Sequence, residues 1–285
     1  MVYLKNFTLG NEEEILEHSM NIYNSYYPLK IFPDKGLSFL SFEPITIFCG
    51  SNGSGKTTLL NIIARTMHAS SRHSLYFGDL FERYVERCHA DTDRRSECNT
   101  VKIVSSDDVF DSLLDMRAVN ERVNRRKDSL AEEYLSYKYG DTVKGGFEQY
   151  DELKNQVDAR KMTASKYVRS RLSNNTILQY SNGETALDFW QNEIRENGLY
   201  LLDEPENSLS AESQLKLKQY IEESARFFHC QFIISTHSPF LLALDHAKIY
   251  DLDKNPVDTS RFEDLPNVKI TYEFFKEHEK LFEKE

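Results

Sequence analysis

Residues 45–67 read ITIFC GSNGSGKT TLLNIIARTM: a short apolar run, a glycine-rich turn and an apolar-periodic stretch in immediate succession. Residues 45–49 are bulky and apolar, as a buried strand requires, whereas residues 57–67 repeat apolar side chains at helical spacing. The turn between them matches the pattern G-x-x-x-x-G-K-[ST]. Because the pattern stands between a strand and a helix, it predicts an α/β fold built around a phosphate-binding loop.

The turn has the residue types that phosphate binding needs. Glycines let the backbone curl so that successive N–H groups point inward, and the helix that follows adds the positive end of its dipole. Lys56 reaches the β- and γ-phosphates, and the Thr57 hydroxyl is a ligand for Mg²⁺. The predicted nucleotide-binding residues are Gly50, Ser51, Asn52, Gly53, Ser54, Gly55, Lys56, Thr57 and Thr58.

Two further strands end in polar residues. Residues 199–202 are apolar and lead into Asp203 and Glu204, so Asp203 is predicted to hold the metal ion and Glu204 to polarise an attacking water. Residues 231–235 lead into Thr236 and His237, and the imidazole is predicted to hydrogen-bond the γ-phosphate or that water. Lys56, Glu204 and His237 are therefore the predicted catalytic residues.

The rest of the chain completes an α/β pattern. Residues 2–9, 37–42, 101–104 and 247–252 are further predicted strands, and helical stretches between strands indicate a mainly parallel sheet. Residues 272–285 predict a charged terminal helix. Residues 105–172 are charged and helical, with an apolar heptad row at Met116, Val123, Leu130 and Tyr137 and a second row at Tyr150, Leu153 and Val157. We predict a helical hairpin with arms of about 25 residues, inserted at 105–172 into a core formed by 1–104 and 173–285. The heptad row indicates either a short coiled coil or, as we favour, ordinary packing of the hairpin on that core.

Composition narrows the classes of protein. The 285 residues carry a formal charge of −11, which argues against a general nucleic-acid coat but leaves room for a local basic patch. The four cysteines form no C-x-x-C pair, and Cys88, His89, Cys98 and His73 fit no common zinc spacing, so reduced thiols are expected. No signal peptide or membrane-length apolar run is present, which predicts a cytoplasmic protein without direct membrane insertion.

The order of these motifs resembles the ABC ATPase superfamily and, within it, the soluble SMC, RecF and OLD-like group often labelled AAA-family ATPase. The resemblance implies a P-loop NTPase with an ABC-type mixed sheet and flanking helices, which hydrolyses ATP with Mg²⁺ and forms a homodimer on ATP binding. Residues 180–184, YSNGE, are similar to the Ser-x-Gly-Glu signature of that group. By that resemblance, Ser181 and the Gly183 backbone contact the γ-phosphate held by the second subunit.

The chain departs from the family pattern at two places. Ser210 stands where transporters keep the D-loop aspartate, and no Q-loop glutamine is evident. Residues 105–108, SSDD, offer either a group for the water shell of the metal or, as we favour, the N-cap of a helix. Tyr26 and Tyr27 lie where transporters keep an adenine-stacking aromatic, although ordinary packing is the default interpretation.

Three functions compete. The first is an ATP-driven dimer switch acting on DNA or on an effector such as a nuclease, in DNA repair or phage defence. A segment without acidic residues could provide a basic face that binds DNA, or it could be an ordinary solvated helix face. Its basic residues are Arg160, Lys161, Lys166, Arg169 and Arg171. The alternative is the cytoplasmic ATP-binding subunit of a transporter, which predicts an L-S-G-G-Q signature and a glutamine-bearing loop. A module that binds ATP without turnover is disfavoured by Lys56, Asp203 and Glu204.

Overall fold

The structure is a computed structural model that describes residues 1–13, 15, 27–73, 78–93, 98–140, 150–172, 182–207 and 209–282. The chain divides into two compact units. Residues 1–110 together with 182–285 form the larger unit, and residues 111–181 form the smaller one. The predicted insertion at 105–172 stays a prediction as a domain boundary.

The described residues form nine strands and nine α-helices. The strands are β1 (Leu4–Thr8), β2 (Phe39–Ser41), β3 (Ile45–Cys49), β4 (His89–Thr92), β5 (Thr100–Ser105), β6 (Gly198–Asp203), β7 (Gln231–Ser235), β8 (Lys248–Asp251) and β9 (Asp258–Ser260). The helices are α1 (Lys56–Thr66), α2 (Asp79–Val85), α3 (Ser106–Tyr139), α4 (Tyr150–Lys161), α5 (Ala164–Arg171), α6 (Asn182–Glu193), α7 (Ala211–Phe227), α8 (Pro239–Leu242) and α9 (Pro266–Glu277).

The strands form two sheets. One has six strands in the order β5-β6-β7-β3-β8-β9, all parallel except the antiparallel edge strand β9, and the other has three antiparallel strands in the order β2-β1-β4. The prediction of a mixed, mainly parallel sheet flanked by helices is confirmed. The opposite edge strand, β5, is covered at one point: Ser70 donates its N–H to Val101 and accepts the N–H of Ile103.

Gln231, at the start of β7, connects the two sheets. Its Oε1 accepts the N–H groups of Tyr3 and Leu4, each at 2.8 Å, and its Nε2 donates to the Leu4 carbonyl at 2.9 Å and the Glu43 carbonyl at 3.3 Å. The side chain is fully buried, and its amide satisfies backbone groups of β1 that the surrounding apolar core leaves without water. That core continues into α1, where Leu59, Leu60, Ile62 and Ile63 are all buried.

The smaller unit has a core of aromatic residues. Tyr134, Ala159 and Tyr167 are buried against one another, and the Tyr167 hydroxyl donates to Glu133 at 2.9 Å. In α4 the buried side chains are Gln156 and Ala159, whereas Leu153 and Val157 are exposed, so the apolar row predicted for this helix was wrong. Helix packing here follows the small Ala159 rather than the bulkier residues.

Three predicted helical stretches differ in length or bounds from those in the structure. The first arm of the predicted hairpin is α3, with 34 residues, and the second arm is interrupted at Met162 and Thr163. Thr163 caps the next helix by accepting the N–H of Lys166, which stops α4 and starts α5. The terminal helix α9 begins at Pro266, six residues earlier than predicted, because a proline suits the first helical position.

The cysteines and the helix compositions bear on two expectations drawn from the sequence. Cys49, Cys88, Cys98 and Cys230 are all free thiols. Across the described ranges, no helix combines the length and the apolar character needed to cross a membrane.

We predict that Gln231→Leu strongly destabilises the protein, because a leucine fills a similar volume but leaves the buried N–H groups of Tyr3 and Leu4 without acceptors. The expected loss is about 2–4 kcal/mol of unfolding free energy, measured by urea denaturation. Gln219→Leu, at an exposed position on α7, is the matched control and is expected to change the unfolding free energy by less than about 0.5 kcal/mol. Equal stability of the two variants would show that Gln231 does not join the sheets.

Candidate active site

The predicted catalytic residues follow neighbouring strands of the six-stranded sheet. Ser105 pairs with Asp203 between β5 and β6, Asp203 pairs with Ser235 between β6 and β7, and Phe48 pairs with Ser235 between β3 and β7. Parallel strands end at one edge of a sheet, and ligands of open α/β sheets bind in the crevice outside those ends. The register therefore places the glycine loop, the acidic strand end and the histidine turn beside one another.

The glycine loop has a backbone shape that other residues would strain. Gly53 has a φ of 81° and Gly55 a φ of 102°, both in the left-handed region. A side chain at Gly55 would also approach Ile31 Cγ2 to 3.0 Å and Phe32 Cε1 to 3.2 Å. Helix α1 begins directly after Gly55, so its unpaired N–H groups face the loop, as a phosphate site requires.

Two residues that the sequence analysis did not single out hold this loop. Lys35 Nζ donates to the carbonyls of Ser54 and Leu252, each at 2.7 Å. Asp253, which follows β8, accepts the Ser51 N–H at 2.6 Å and the Ser51 hydroxyl at 2.8 Å. The loop is therefore fixed from two directions. Asp253 could have been predicted from the sequence by the pattern used for Asp203, an acidic residue just after an apolar strand.

The predicted metal ligands lie together. Thr57 Oγ1 donates to Asp203 Oδ1 at 3.1 Å, and the Ser235 hydroxyl donates to the same oxygen. Two oxygen ligands of an octahedral Mg²⁺ at about 2.1 Å are separated by about 3 Å, so this pair suits one edge of that coordination. Burial raises the pKa of Asp203, and the two hydroxyl donors act in the opposite direction.

The backbone turns sharply between Asp203 and Glu204. Consecutive side chains of a continuing strand point to opposite faces of the sheet. Glu204 instead has a left-handed φ of 47°, and its N–H donates to the Ser235 carbonyl at 2.9 Å. A positive φ is costly for a glutamate and is typical of residues held in place for function. As a result, Asp203 contacts the glycine loop while Glu204 faces His237.

Lys56, His237 and Glu204 form one cluster. Lys56 is buried, and its Nζ lies 2.9 Å from the Gly50 carbonyl and 2.7 Å from His237 Nε2, which in turn is 3.6 Å from Glu204 Oε1. An ammonium group can only donate, so Nε2 is the acceptor and a neutral ring carries its proton on Nδ1. Burial lowers the pKa of Lys56, and the carboxylate of Glu204 opposes that shift.

Two residues that follow Glu204 and one residue of α9 support this cluster. Asn207 Nδ2 donates to Glu204 Oε2 at 3.0 Å, which orients the carboxylate. Glu206 accepts backbone N–H groups of the histidine turn, and Asn267 of α9 donates to the carbonyl of His237. None of these three residues was predicted. Glu206 and Asn207 lie in the segment between Glu204 and Ser210 that was compared with the transporter D-loop. No motif in the sequence indicated Asn267.

Several residues that were predicted to contact nucleotide are either outside the described residues or lack a position that tests the prediction. Ser181 and Tyr26 lie outside the described residues, and Gly183 is in the first turn of α6. Thr58 is buried and its hydroxyl accepts from Tyr27, whose ring stacks on Phe81 at a centroid distance of 6.2 Å. Asn52 is exposed in the loop. The contacts predicted for these residues with nucleotide stay predictions.

The helix-capping interpretation of residues 105–108 is confirmed. Asp108 Oδ2 accepts the N–H of Ser105 at 2.7 Å, while Ser105 Oγ accepts the N–H of Asp108 at 3.3 Å. Ser210 likewise caps α7 by accepting the N–H of Ser213 at 3.2 Å. For the part of the chain that the structure describes, no three His, Cys, Asp or Glu side chains are grouped to hold a metal ion, including Cys88 and its neighbours.

Fold and site together define a P-loop nucleotide hydrolase. The family model described as ABC transporter matches residues 39–207, more than half of the chain, and the chain belongs to this family of ATP-hydrolysing domains. The match spans the glycine loop and the acidic strand end. No curated protein matches the sequence.

Three solved structures of low sequence identity align with most of this chain. The Smc head domain from Pyrococcus furiosus, with an extended coiled coil and bound to the C-terminal domain of ScpA, is 14% identical, with 96% of this chain and 100% of that chain covered and a TM-score of 0.40. The SMC head domain from Thermotoga maritima is 14% identical, with 91% and 98% covered and a TM-score of 0.37. A dimeric ATP-binding cassette with ADP and Pi is 15% identical, with 93% and 100% covered and a TM-score of 0.38. The assignment to the family rests on the family model and not on these structures.

We predict that Asp203→Asn raises the stability of the nucleotide-free protein. Because burial raises the pKa of Asp203, its ionised form costs free energy in the folded state above that pKa, and the cost disappears as pH falls through it. An asparagine still accepts from Thr57 and Ser235 but carries no charge. Calorimetry at pH 7 is expected to show a melting temperature higher by about 2 °C.

The pH dependence gives the control for this prediction. The difference in melting temperature between Asp203→Asn and the wild type is expected to shrink between pH 7 and pH 4, as the wild-type carboxyl takes up a proton. Asp245→Asn, at an exposed position, is the matched control. A variant at position 203 that melts below the wild type at every pH would contradict the prediction.

Proposed function

We propose that the cluster of Lys56, Glu204 and His237, together with Thr57 and Asp203, binds one MgATP and hydrolyses it. The observation that carries this proposal is the contact of Lys56 Nζ with His237 Nε2 at 2.7 Å, with Glu204 Oε1 3.6 Å from the same nitrogen. A cation that binds phosphate, a carboxylate that accepts a proton and a neutral imidazole meet at one point. Thr57 and Asp203 lie beside it.

Each residue has one task in this proposal. Lys56 exchanges the Gly50 carbonyl and His237 for phosphate oxygens, which releases the imidazole. Glu204 accepts a proton from the attacking water, and His237 orients that water or the γ-phosphate through a hydrogen bond. Thr57 and Asp203 would hold Mg²⁺, which would supply positive charge beside the phosphates. Asn207 keeps the carboxylate of Glu204 turned toward the site.

A second copy of the chain completes the site in this proposal. Residues 182–184 of the signature candidate form the start of α6, and by family resemblance Ser181 and Gly183 contact the γ-phosphate bound by the other copy. Two ATP molecules would then hold two chains together, and hydrolysis would release them. Binding energy is thereby converted into a cycle of association and dissociation.

The smaller unit is the proposed contact with DNA or with an effector such as a nuclease, as in DNA repair or phage defence. Residues 111–181 contain 13 Lys and Arg against 11 Asp and Glu, a net charge of +2 in a chain whose total is −11. Arg160, Lys161, Lys166 and Arg169 are exposed, which leaves them accessible to a polyanion. Arg171 is occupied: its guanidinium lies 3.6 Å from the centroid of the Tyr167 ring and bonds Asn155 and Asp158.

The alternative is the ATP-binding subunit of a transporter. The description of the matching family favours it, whereas the S-N-G-E signature and Ser210 do not. Copurification of the chain with a membrane permease would favour this alternative over the soluble switch.

We predict that Glu204→Gln retains ATP binding but lowers turnover by roughly 10²- to 10⁴-fold, because the amide cannot accept the proton of water. The variant is expected to accumulate as an ATP-bound dimer, measured by light scattering after gel filtration. Lys56→Ala is the control, since it should lose ATP binding and remain monomeric. A Glu204→Gln protein with wild-type turnover would remove Glu204 as the base.

We also predict that DNA stimulates turnover and that the triple variant Lys161→Glu, Lys166→Glu, Arg169→Glu abolishes this stimulation while basal turnover is kept. DNA affinity is expected to fall by at least about tenfold at low salt, because contacts with phosphates are lost. Lys254→Glu, Lys276→Glu and Lys280→Glu, all at exposed positions in the larger unit, make the matched control with the same charge change. Equal DNA stimulation in both triple variants would exclude the basic face and leave an effector protein as the partner.

A further inference from the structure

The backbone of His237 is held from both sides by side chains of two other elements. Glu206 Oε1 accepts the N–H of His237 at 2.7 Å and the N–H of Ser238 at 3.2 Å. Asn267, at the start of α9, donates its Nδ2 to the His237 carbonyl at 3.0 Å. Both polar groups of one residue are thus bonded to side chains distant in sequence, outside any regular hydrogen-bond ladder.

The Glu206 carboxylate is a costly way to hold a turn. Its second oxygen, Oε2, is buried and has no hydrogen-bond partner among the described residues. Burial also raises the pKa of Glu206, and the bonds from the His237 N–H and the Thr236 hydroxyl oppose the shift. A buried polar atom without a partner lowers stability, and such groups are expected where position matters more than stability.

The turn has other attachments that serve its stability. Ser238 Oγ donates to Gln214 Oε1 at 2.6 Å and also caps α8 by accepting the N–H groups of Phe240 and Leu241. Gln214 Nε2 in turn donates to the Leu209 carbonyl at 3.1 Å. The turn therefore stays connected to α7 without Glu206. The bonds of Glu206 act on the N–H groups of His237 and Ser238, and the bond of Asn267 acts on the His237 carbonyl.

We propose that Glu206 and Asn267 are positioning residues, which fix the His237 backbone so that the imidazole reaches the reacting groups. This inference rests on the proposed function and extends it, because it assigns the orientation of His237 to two residues that contact its backbone. His237 Nε2 lies 3.6 Å from Glu204 Oε1, so a displacement of about 1 Å moves the imidazole away from the proposed base. Such a displacement can lower a rate by about a hundredfold.

Steady-state kinetics of single variants give the first test. Glu206→Ala and Asn267→Ala are expected to lower kcat by about 10- to 100-fold while KM for ATP changes less than about threefold. Glu206→Gln is expected to retain most of kcat, because one amide oxygen still accepts both N–H groups. Glu223→Ala, on the exposed surface of α7, is the control and keeps wild-type kcat. Wild-type kcat in both alanine variants would overturn the proposal.

Variants in a His237→Ala background separate positioning from general damage. If both residues act through the imidazole, Glu206→Ala and Asn267→Ala lower kcat by less than about twofold once His237 is absent. A full 10- to 100-fold loss in that background would show a structural role and reject the inference. Should Glu206→Ala fail to fold, Asn267→Ala carries the same prediction, because Asn267 lies in α9 whereas Glu206 lies in the turn after β6.

The outcomes distinguish this inference from the proposed function. Wild-type turnover in His237→Ala would remove His237 from the mechanism, and the proposed function would fail in that part together with the inference. A large effect of His237→Ala with none from Glu206→Ala and Asn267→Ala would retain the proposed function and reject the positioning role alone.

Discussion

The register of the parallel strands is the constraint on which the site depends. Asp203 pairs with Ser235, and Ser235 pairs with Phe48, so three strands end at the same level of the sheet. A shift of one residue in any of them would turn its alternating side chains to the other face. The apolar residues of β3, β6 and β7 are buried, and their packing on both faces of the sheet prevents such a shift. The apolar core is therefore what brings Lys56, Asp203 and His237 within reach of one another.

The sequence predicted the elements that have strong local patterns. Strands β3 and β7 were predicted with the bounds that the structure shows, because each is a dense apolar run next to a polar turn. The weakly patterned elements were not predicted: α2, β4 and β9 are short, and their stability comes from pairing or packing with distant residues. In α4, spacing alone favoured Leu153 and Val157, whereas the partner helices contact the face with Ala159.

The candidate site shows the same division. Residues within a recognisable motif, such as Lys56, Asp203 and His237, could be named from local sequence because the chemistry needs those types at those places. The residues that hold the site in place, Lys35, Asp253 and Asn267, were not named in this way. They act through contacts between residues separated by up to 217 positions in the sequence. The left-handed turn at Glu204 also has no signature, because glutamate rarely adopts that backbone conformation. Long-range contacts and backbone strain appear only once the chain is folded.

The edges of the six-stranded sheet are both protected. The strand β9 is three residues long, polar and partly exposed, and a proline precedes it at position 256. At the other end, Ser70 occupies hydrogen-bonding groups of β5. The unpaired N–H and C=O groups of an unprotected edge strand can pair with a strand of another chain, which is a common first step of fibrous aggregation. Concentrated protein should therefore resist ladder-like polymerisation through this sheet.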